Sequence, residues 1–362
     1  MKVFALLLPL CLSGCYYLKQ GAGQLDVLLS SRSIDEAAAD PALPEAGRRK
    51  LALIKEVKAF GEREMGLTPS SNYTTYYDTG GQPITWIVTA CARDKFEPYT
   101  WSFPIVGTVP YKGFFDRADA LAEARGLEAL DLDVNVSPAA AYSTLGYFKD
   151  PVLSTMLAYS DEDLASLILH ELTHGTIFLA GGVDFNEGLA NFVGAQGAME
   201  FFRGRRGEGS TSYARAVRSL AREERRDARS LATYRALDAL YKSEASREDK
   251  LLLREEVVAA LRAGWKAEAD VLARDVGRTS EADAALERRV RWGGCPVPWS
   301  GNDVRRSLER LAALPGVAEG PVNNAVILAQ RRYGRYDEFR AVFERVGGDW
   351  PAFFKAMKAG AP

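Results

Sequence analysis

Apolar residues recur with two different periods along the chain. Between residues 48 and 65 they lie three or four positions apart, which predicts an amphipathic helix that ends at Gly66. The stretches Tyr73–Tyr77 and Ile84–Ala90 are instead rich in β-branched and aromatic residues. Because Asp78–Gly81 between them supplies turn residues, the pattern predicts a β-hairpin.

Shorter elements follow up to residue 160. Trp101–Tyr111 has an extended pattern, and Pro104 and Pro110 favour an edge position because proline cannot donate to a sheet. Asp116–Arg125 has helical spacing, and Ala129–Val136 has the pattern of a strand. This half of the chain is therefore expected to contain the strands.

From residue 161 onward, helical spacing dominates. Long helices are predicted at Leu164–Leu179, Glu187–Phe202, Tyr213–Tyr241 and Leu251–Ala273, and shorter ones near Val304–Leu314, Val322–Tyr333 and Tyr336–Phe343. The sequence thus predicts a mostly helical α+β protein, in which a small strand-containing part at 15–160 packs on a helical part at 161–362. One compact unit spanning 21–362 is the alternative.

The charge balance bears on the choice of partner. The 362 residues include 47% apolar and 26% charged residues, enough to bury a sizeable core. The formal net charge is -2, which leaves no basic surplus to neutralise phosphates. A nucleic acid is therefore not expected as a partner.

The first residues have the pattern of a targeting segment. Lys2 precedes the apolar stretch Val3–Leu10, which suits a signal peptide and is too short to span a bilayer. Leu12–Cys15 resembles a bacterial lipobox, which implies removal of residues 1–14 and a lipid on Cys15. Tyr16 stands where lipoproteins retained in the inner membrane often have Asp. The expected location is the outer membrane, facing the periplasm; an ordinary secretory signal is the alternative.

Two cysteines remain after processing. Cys11 would leave with the signal and Cys15 would carry lipid, so Cys91 and Cys295 are left in an oxidising compartment. The sequence predicts that they form a disulfide. The alternative is that each is a small buried apolar residue.

The two histidines of the chain lie four residues apart in His170-Glu171-Leu172-Thr173-His174. On a helix both imidazoles then lie on one face and can bind a single ion. Two His ligands with an open site for water favour Zn²⁺, with Glu171 as the general base that activates the attacking water. The alternative is a pair of buried helix histidines with ordinary hydrogen bonds.

A third ligand is expected from a nearby acid. Glu187 opens a helix after the Gly181-Gly182 turn, and Asn186-Glu187 with Ala190 resembles the Asn-Glu-x-x-Ala helix of the gluzincins. In that group the Glu is the third zinc ligand. An acid four residues later often contacts one of the zinc ligands without binding the ion itself. Asn191 occupies that position here, although it is neutral, and the spacing of twelve residues after His174 is short. Asp184 as the ligand, or Glu187 as a helix-capping acid, are the alternatives.

Several further stretches resemble one family of bacterial lipoproteins described as predicted aminopeptidases. They are Gly14–Tyr17, Gly23–Leu25, Phe103–Gly107, Tyr111–Phe115 and Tyr142–Gly146, in addition to the two motif helices. The resemblance implies a zincin-like catalytic part and a zinc peptidase of the gluzincin kind, whose substrate is a peptide.

Gluzincins stabilise the oxyanion with a Tyr or a His, and the chain has no third His. Tyr333 and Tyr336 are therefore the candidate donors, with core or surface packing as the alternative. Tyr142–Gly146 is a candidate edge strand for the substrate backbone, or else an ordinary loop.

Three functions remain open from the sequence. An aminopeptidase needs an acid near the metal to hold the substrate amine, whereas an endopeptidase that acts on envelope proteins needs an open groove. A non-catalytic envelope module could keep zinc for stability alone. Because Glu171 and the ligand residues are all present, the sequence favours a zinc peptidase, and the family resemblance favours an aminopeptidase.

Overall fold

The computed structural model describes residues 4–103, 107–139, 149–259, 263, 323–331 and 336–360. The helices in this part of the chain are α1 (Phe4–Ser30), α2 (Ile34–Ala39), α3 (Glu45–Phe60), α4 (Arg117–Glu128), α5 (Asp161–His174), α6 (Val183–Arg206), α7 (Thr211–Lys242), α8 (247–259), α9 (Asn324–Arg331), α10 (Tyr336–Arg345) and α11 (Trp350–Gly360). The strands are β1 (Arg32–Ser33), β2 (Thr75–Tyr77), β3 (Trp86–Ala92), β4 (Trp101–Phe103), β5 (Gly107–Val109), β6 (Lys112–Phe114), β7 (Leu132–Pro138) and β8 (Val152–Leu153). The predicted class, a mostly helical α+β fold with strands in its N-terminal part, is confirmed.

The predicted hairpin between residues 73 and 90 is wrong. Strand β2 pairs antiparallel with β1 and parallel with β8, whereas β3 lies between β6 and β7 in a second sheet, antiparallel to both. The backbone N–H of Thr79 donates to the Ser154 hydroxyl, which ties the segment after β2 to the residues that follow β8. Gly80 and Gly81 both have positive φ. The turn residues thus carry the chain from one sheet to the other.

The extended stretch after β3 divides into three strands. β4 and β5 form a two-stranded antiparallel sheet, and β6 joins β3 at the edge of the second sheet. β7 begins three residues later than predicted, because α4 and its final turn extend to Asp131, whose φ is +58°. One face of the second sheet packs on α4 through Trp86, Phe114 and Val134.

The largest core lies between helices. Leu164, Ile168 and Leu172 lie on one face of α5 and are buried against α3 and α6. The Ser160 side chain caps this helix by accepting from the Asp163 N–H. The helix ends at His174, so the predicted continuation to Leu179 is wrong.

The last helices complete this core. Phe339, Phe343, Trp350 and Phe353 pack around Phe192 of α6. α10 lies close to its predicted place, and α11 was not predicted. The helix predicted near Val304–Leu314 lies outside the described residues. This core draws residues from both sides of position 160. The predicted domain boundaries stay a prediction.

A buried ion pair joins α8 to the second sheet. Arg254 donates to both carboxylate oxygens of Asp133 at 2.9 and 3.1 Å, and it also donates to the Arg93 carbonyl. Asp133 accepts a further bond from the Asn324 N–H, at the start of α9. Two distant segments are thus held on the same sheet by charge-assisted hydrogen bonds.

The N-terminal helix lies against the second sheet. Its Tyr16 hydroxyl donates to the Gly113 carbonyl, and its ring contacts Phe114 edge to face at 5.6 Å. Within the described residues, no helix combines the length and apolar character that a membrane span requires.

Cys91 lies within β3 and is completely buried. Its proposed partner Cys295 falls outside the described residues. The disulfide between them therefore stays a prediction.

Candidate metal centre

Two consecutive helices bring the motif residues together. α5 carries His170, Glu171 and His174, and α6 carries Glu187 at its fifth residue rather than in its first turn. In the loop that joins the helices, the Asn186 amide accepts from the Leu179 N–H and donates to the Leu179 carbonyl, both at 2.8 Å. This pair of bonds fixes the loop beside Glu187.

A glycine allows the two helices to approach closely. A Cβ at Gly194 would lie 2.5 Å from the Ser166 carbonyl oxygen and 3.2 Å from the His170 Cβ. The absent side chain of Gly194 therefore lets the backbone of α6 lie directly against α5 at the level of His170.

Three donor atoms converge between these helices. The Nε2 atoms of His170 and His174 are 3.2 Å apart, and the Glu187 carboxylate lies 3.5 Å from the first and 3.8 Å from the second. One ligand atom from each residue lies within 4.8 Å of the others. The structure therefore brings together the three predicted metal ligands.

The donor set fits a zinc ion. Ligands bound at about 2.0–2.1 Å to one tetrahedral ion lie about 3.3 Å from each other. The separation of 3.2 Å between the two Nε2 atoms is close to this value. His170 Nε2 lies 3.5 Å from Glu187 Oε2 and His174 Nε2 lies 3.8 Å from Glu187 Oε1, so each histidine has one oxygen of the carboxylate near this distance. Two imidazoles and one carboxylate also leave a fourth position for water or substrate, as catalytic zinc sites do.

One feature departs from most histidine–zinc sites. The Nδ1 atom of His174 is buried and has no hydrogen-bond partner among the described residues. Histidine ligands usually donate from the second ring nitrogen to a carboxylate or carbonyl, which fixes the tautomer. Here the ring contacts that of His170 edge to face, with the ring centres 4.9 Å apart.

The two imidazoles have opposite pKa shifts. Burial and the neighbouring His170 lower the pKa of His174 to about 4. Burial alone would also lower the pKa of His170, but the hydrogen bond to Glu187 and the nearby carboxylates outweigh it and raise that pKa. His174 is therefore neutral at pH 7, which is the form that binds a metal.

Glu171 borders the same space without belonging to the ligand cluster. Burial raises the pKa of its carboxyl to about 7, and the charges of Glu187 and Asp150 add to this effect. Asp150 is 1% exposed, and the fully buried Tyr73 lies close enough to feel the charges of both Glu171 and Asp150. A carboxyl with a pKa near neutrality is suited to accept and return a proton. The sequence interpretation missed Asp150 and Tyr73, which lie far from the motif in the chain.

Asn191 contacts an acid from a third helix. Its side-chain N–H₂ lies 3.4 Å from a carboxylate oxygen of Asp227 on α7. Asp227 is buried, and burial raises its pKa to about 7. Asn191 itself is neutral, and its side chain thus contacts a carboxyl group that α7 supplies.

A cavity of roughly 760 Å³ opens over the candidate centre. His170, Glu171 and Glu187 form part of its wall, and α7 forms the opposite wall. At one end Arg215 pairs with Glu162 at 2.9 Å, and Arg222 pairs with Asp163 at 2.8 Å. This volume is within the usual range for a small-molecule site, and it suits a short stretch of peptide.

The tyrosine candidates have different positions. Tyr333 and the stretch Tyr142–Gly146 lie outside the described residues. Tyr336 is 4% exposed, packs on Phe192 and does not line the cavity, so its placement gives no support to a catalytic role.

Two other tyrosines line the cavity, Tyr111 and Tyr159. Burial raises the pKa of Tyr159, and the charge of the nearby Asp163, which pairs with Arg222 of α7, adds to this effect. Neither tyrosine was predicted to line the site, because the sequence does not show which distant residues pack around the motif helices.

The comparisons with known proteins give the family of the chain. A family described as "Putative aminopeptidase" matches residues 15–287. No curated protein and no solved structure matches the chain. The family match covers α5, α6 and α7 and therefore the whole ligand cluster. The chain belongs to the "Putative aminopeptidase" family.

Proposed function

We propose that the protein is a zinc-dependent aminopeptidase of the gluzincin kind. The observation that carries this proposal is the convergence of His170, His174 and Glu187 beside the half-buried Glu171, at the wall of a peptide-sized cavity. Membership of an aminopeptidase family supports the same chemistry from an independent direction.

Each residue has a defined role in this proposal. His170, His174 and Glu187 hold the ion, which when bound supplies a Lewis acid that polarises the scissile carbonyl and acidifies water. Glu171 accepts the proton of the attacking water and passes it to the leaving nitrogen. Its carboxyl, with a pKa raised to about 7, is suited to both transfers.

The surrounding residues position this machinery. Asn186 holds the loop that places Glu187, and Gly194 allows the two helices to meet. Two described tyrosines, Tyr111 and Tyr159, line the cavity and are further candidates to donate a hydrogen bond to the oxyanion. The candidacy of Tyr333 and Tyr336 stays a prediction.

Two rival functions make different predictions. An endopeptidase would cut peptides internally and ignore a blocked N-terminus. A module that keeps zinc only for stability would bind the metal without hydrolysis. The following experiment distinguishes both rival functions from an aminopeptidase.

The experiment uses the zinc-loaded protein and its Glu171→Gln variant on a broad peptide library read by mass spectrometry. Gln keeps the shape of Glu171 and removes its basicity, so the rate should fall by roughly a hundredfold to ten-thousandfold while zinc stays bound. Wild-type protein should remove N-terminal residues and spare acetylated peptides. Equal activity or equal inertness of the two proteins would refute the peptidase.

The lipid anchor is a separate proposal. The lipobox-like residues 12–15 follow an apolar stretch at the N-terminus, which supports cleavage before Cys15 and attachment of lipid to it. The protein would then lie on the envelope membrane with its catalytic part in the periplasm. The mass of the mature N-terminal peptide tests this, and an unmodified peptide that retains Met1 would contradict it. Cys15→Ser should release the protein from membranes.

A further inference from the structure

Helix α1 exposes a group of large apolar side chains. Among the described residues, five of the twelve large apolar side chains that are exposed lie on this helix: Tyr17, Leu18, Leu25, Leu28 and Leu29. Leu18 and Leu29 are 75% and 76% exposed, and Leu25 is 54% exposed. Single apolar residues scattered over a surface are normal, whereas a contiguous group marks a contact site.

These side chains lie on one side of the helix. Leu25 and Leu29 follow Leu18 by about two and three turns, at about 3.6 residues per turn. At about 100° per residue, the exposed residues of this side occupy an arc of about 140° that contains no charged residue. Lys19 and Asp26 lie along one edge of the arc. Helices of globular proteins usually turn an apolar stripe of this width towards the core, whereas α1 turns it outward.

The opposite side of α1 is attached to the rest of the protein. Val27 is 2% exposed, and the Tyr16 hydroxyl donates to the Gly113 carbonyl at 2.9 Å. Lys19 pairs with Asp119 of α4 at 2.6 Å. These contacts hold the helix in place, so its apolar side faces away from the fold.

Cys15 indicates what covers this side. It immediately precedes residues 16–30 of α1 and is the residue to which the proposed lipid is attached, so the acyl chains would hold this end of the helix at a bilayer. Leu18 lies less than one turn from that attachment point. A helix with one apolar and one polar side lies in the plane of the membrane surface, with its apolar side about 5–10 Å into the boundary between headgroups and acyl chains. A second copy of the chain could also bury the leucines, but it has no connection with Cys15.

We propose that the apolar side of α1 lies on the lipid surface, so that the protein contacts the bilayer through its leucine side chains as well as through the lipid on Cys15. This contact rests on the proposed lipid anchor and adds the orientation of the protein to it. Tyr16 of α1 is bonded to β6, and Tyr111, just before that strand, lines the cavity over the candidate centre. The lipid contact therefore holds this wall of the cavity in a fixed orientation to the membrane.

The test measures whether lipid touches the helix. The lipidated protein is reconstituted into vesicles of phosphatidylethanolamine and phosphatidylglycerol that carry a doxyl quencher just below the headgroups. A fluorescent dansyl amino acid is incorporated genetically in place of Leu25 or of Leu29. The matched control carries it in place of Leu252, which is 70% exposed on α8. Because doxyl lipid quenches only at contact, it should remove more than half of the fluorescence at residues 25 and 29 and leave that at residue 252 unchanged.

A second variant tests the leucine side chains themselves. The combined change Leu18→Gln, Leu25→Gln and Leu29→Gln keeps the lipid site and the attached side of α1, so the protein should stay folded and lipidated. With the dansyl amino acid in place of the exposed Ala22, quenching should be strong in the parent protein and several times weaker in this variant. Leu252→Gln, a change of the same kind on α8, should leave the quenching at residue 22 as it is in the parent.

Unquenched fluorescence at residue 25 in lipidated, membrane-bound protein would overturn the lipid contact and leave the lipid anchor standing. A blue-shifted emission at residue 25 without quenching would identify a second copy as the partner and would overturn it as well. If the N-terminal peptide carries no lipid, the same unlipidated protein is mixed with the vesicles. Quenching at residue 25 then supports the lipid contact although the anchor fails, and its absence overturns both.

Discussion

Two regions of the molecule bury charged groups, and they do so in different ways. In the pair formed by Asp133 and Arg254, the two side chains are 7% and 6% exposed and meet through two hydrogen bonds. In the cluster of His170, His174 and Glu187, two ring nitrogens point at each other from 3.2 Å. The carboxylate of Glu187 faces both rings, at 3.5 and 3.8 Å.

The difference indicates which region is structural and which is chemical. The carboxylate of Asp133 has its counter-charge within the chain, so nothing further is needed to stabilise it. The side chains of His170, His174 and Glu187 instead gather lone pairs toward one point, which is unfavourable without a cation there. A buried charge whose counter-charge lies within the chain supports the fold. Buried lone pairs that converge on a point without a cation indicate a ligand.

The largest effect on stability is expected from breaking the complete pair. Arg254→Met leaves the buried Asp133 with Arg93, 3.6 Å away, as its remaining cation among the described residues, and the loss of one member of a buried pair costs about 3–5 kcal/mol. Urea unfolding measures the change in the free energy of unfolding. The control is Arg247→Met, whose arginine is 52% exposed and pairs with Asp131 at the surface. That variant should lose at most about 1 kcal/mol, and equal losses in the two variants would contradict the interpretation.

The incomplete cluster should respond to metal instead. At a free zinc concentration about 1,000 times the Kd, binding to the folded state alone adds roughly 4 kcal/mol to the free energy of unfolding. We expect zinc to raise the free energy of unfolding of the wild type by this amount and to have no such effect on His170→Ala and His174→Ala. In Glu187→Ala, zinc should raise it by less than in the wild type. Metal analysis after dialysis and unfolding with and without a chelator provide the measurements. Glu171→Gln serves as the control that keeps the increment, and full zinc retention in Glu187→Ala would move the third ligand elsewhere.

The same comparison shows what the sequence could predict. The spacing of His170 and His174 depends only on helix geometry, and Glu187 lies close enough in the chain for a short loop to return it. Local patterns therefore located the ligand cluster. They also gave the fold class, because the periods of helix and strand are local properties.

Pairing between distant segments was not predictable in this way. The turn residues 78–81 suggested a hairpin, yet β2 pairs with β1 and with β8, which lies more than seventy positions later. Arg254 carries no motif, and only the packing of α8 on the second sheet brings it to Asp133. Sequence reasoning finds groups that act together within one or two helices and misses those that long loops bring together.

A comparable effect is expected from the pH dependence of Asp227. Burial raises its pKa in the folded protein to about 7, whereas the unfolded carboxyl titrates near its ordinary value of 3.8. The folded state therefore keeps a proton that the unfolded state has lost, so the contribution to stability is present below about pH 4 and disappears as the pH rises through 7. Since one unit of pKa corresponds to about 1.4 kcal/mol, the ionised group costs on the order of 4 kcal/mol at pH 8.

Asp227→Asn should remove this cost, so the variant should be more stable than the wild type at pH 8 and similar to it at pH 4. Urea unfolding at the two values, with zinc held at saturation, tests the sign. Asp238→Asn provides a control on the same helix, where the acid pairs with Lys242. A variant that is less stable than the wild type at pH 8 would show that the ionised carboxylate is favourably paired.

The smallest effect on stability is expected at the contact between α5 and α6, the two helices that carry the candidate ligands. Gly194→Ala places a methyl group 2.5 Å from the Ser166 carbonyl oxygen, so α6 must move away from α5. Such overpacking costs about 1–3 kcal/mol, and the displacement also separates Glu187 from the histidines. Gly204, on the same helix, has nothing within 4 Å of the added methyl, so Gly204→Ala should be neutral or gain up to about 1 kcal/mol. The affinity for zinc, measured by competition with a chelator, then tests whether Glu187 has moved away from the histidines. Gly194→Ala should bind zinc more weakly and Gly204→Ala normally, whereas normal affinity in both would show that the ligand cluster tolerates separation of its helices.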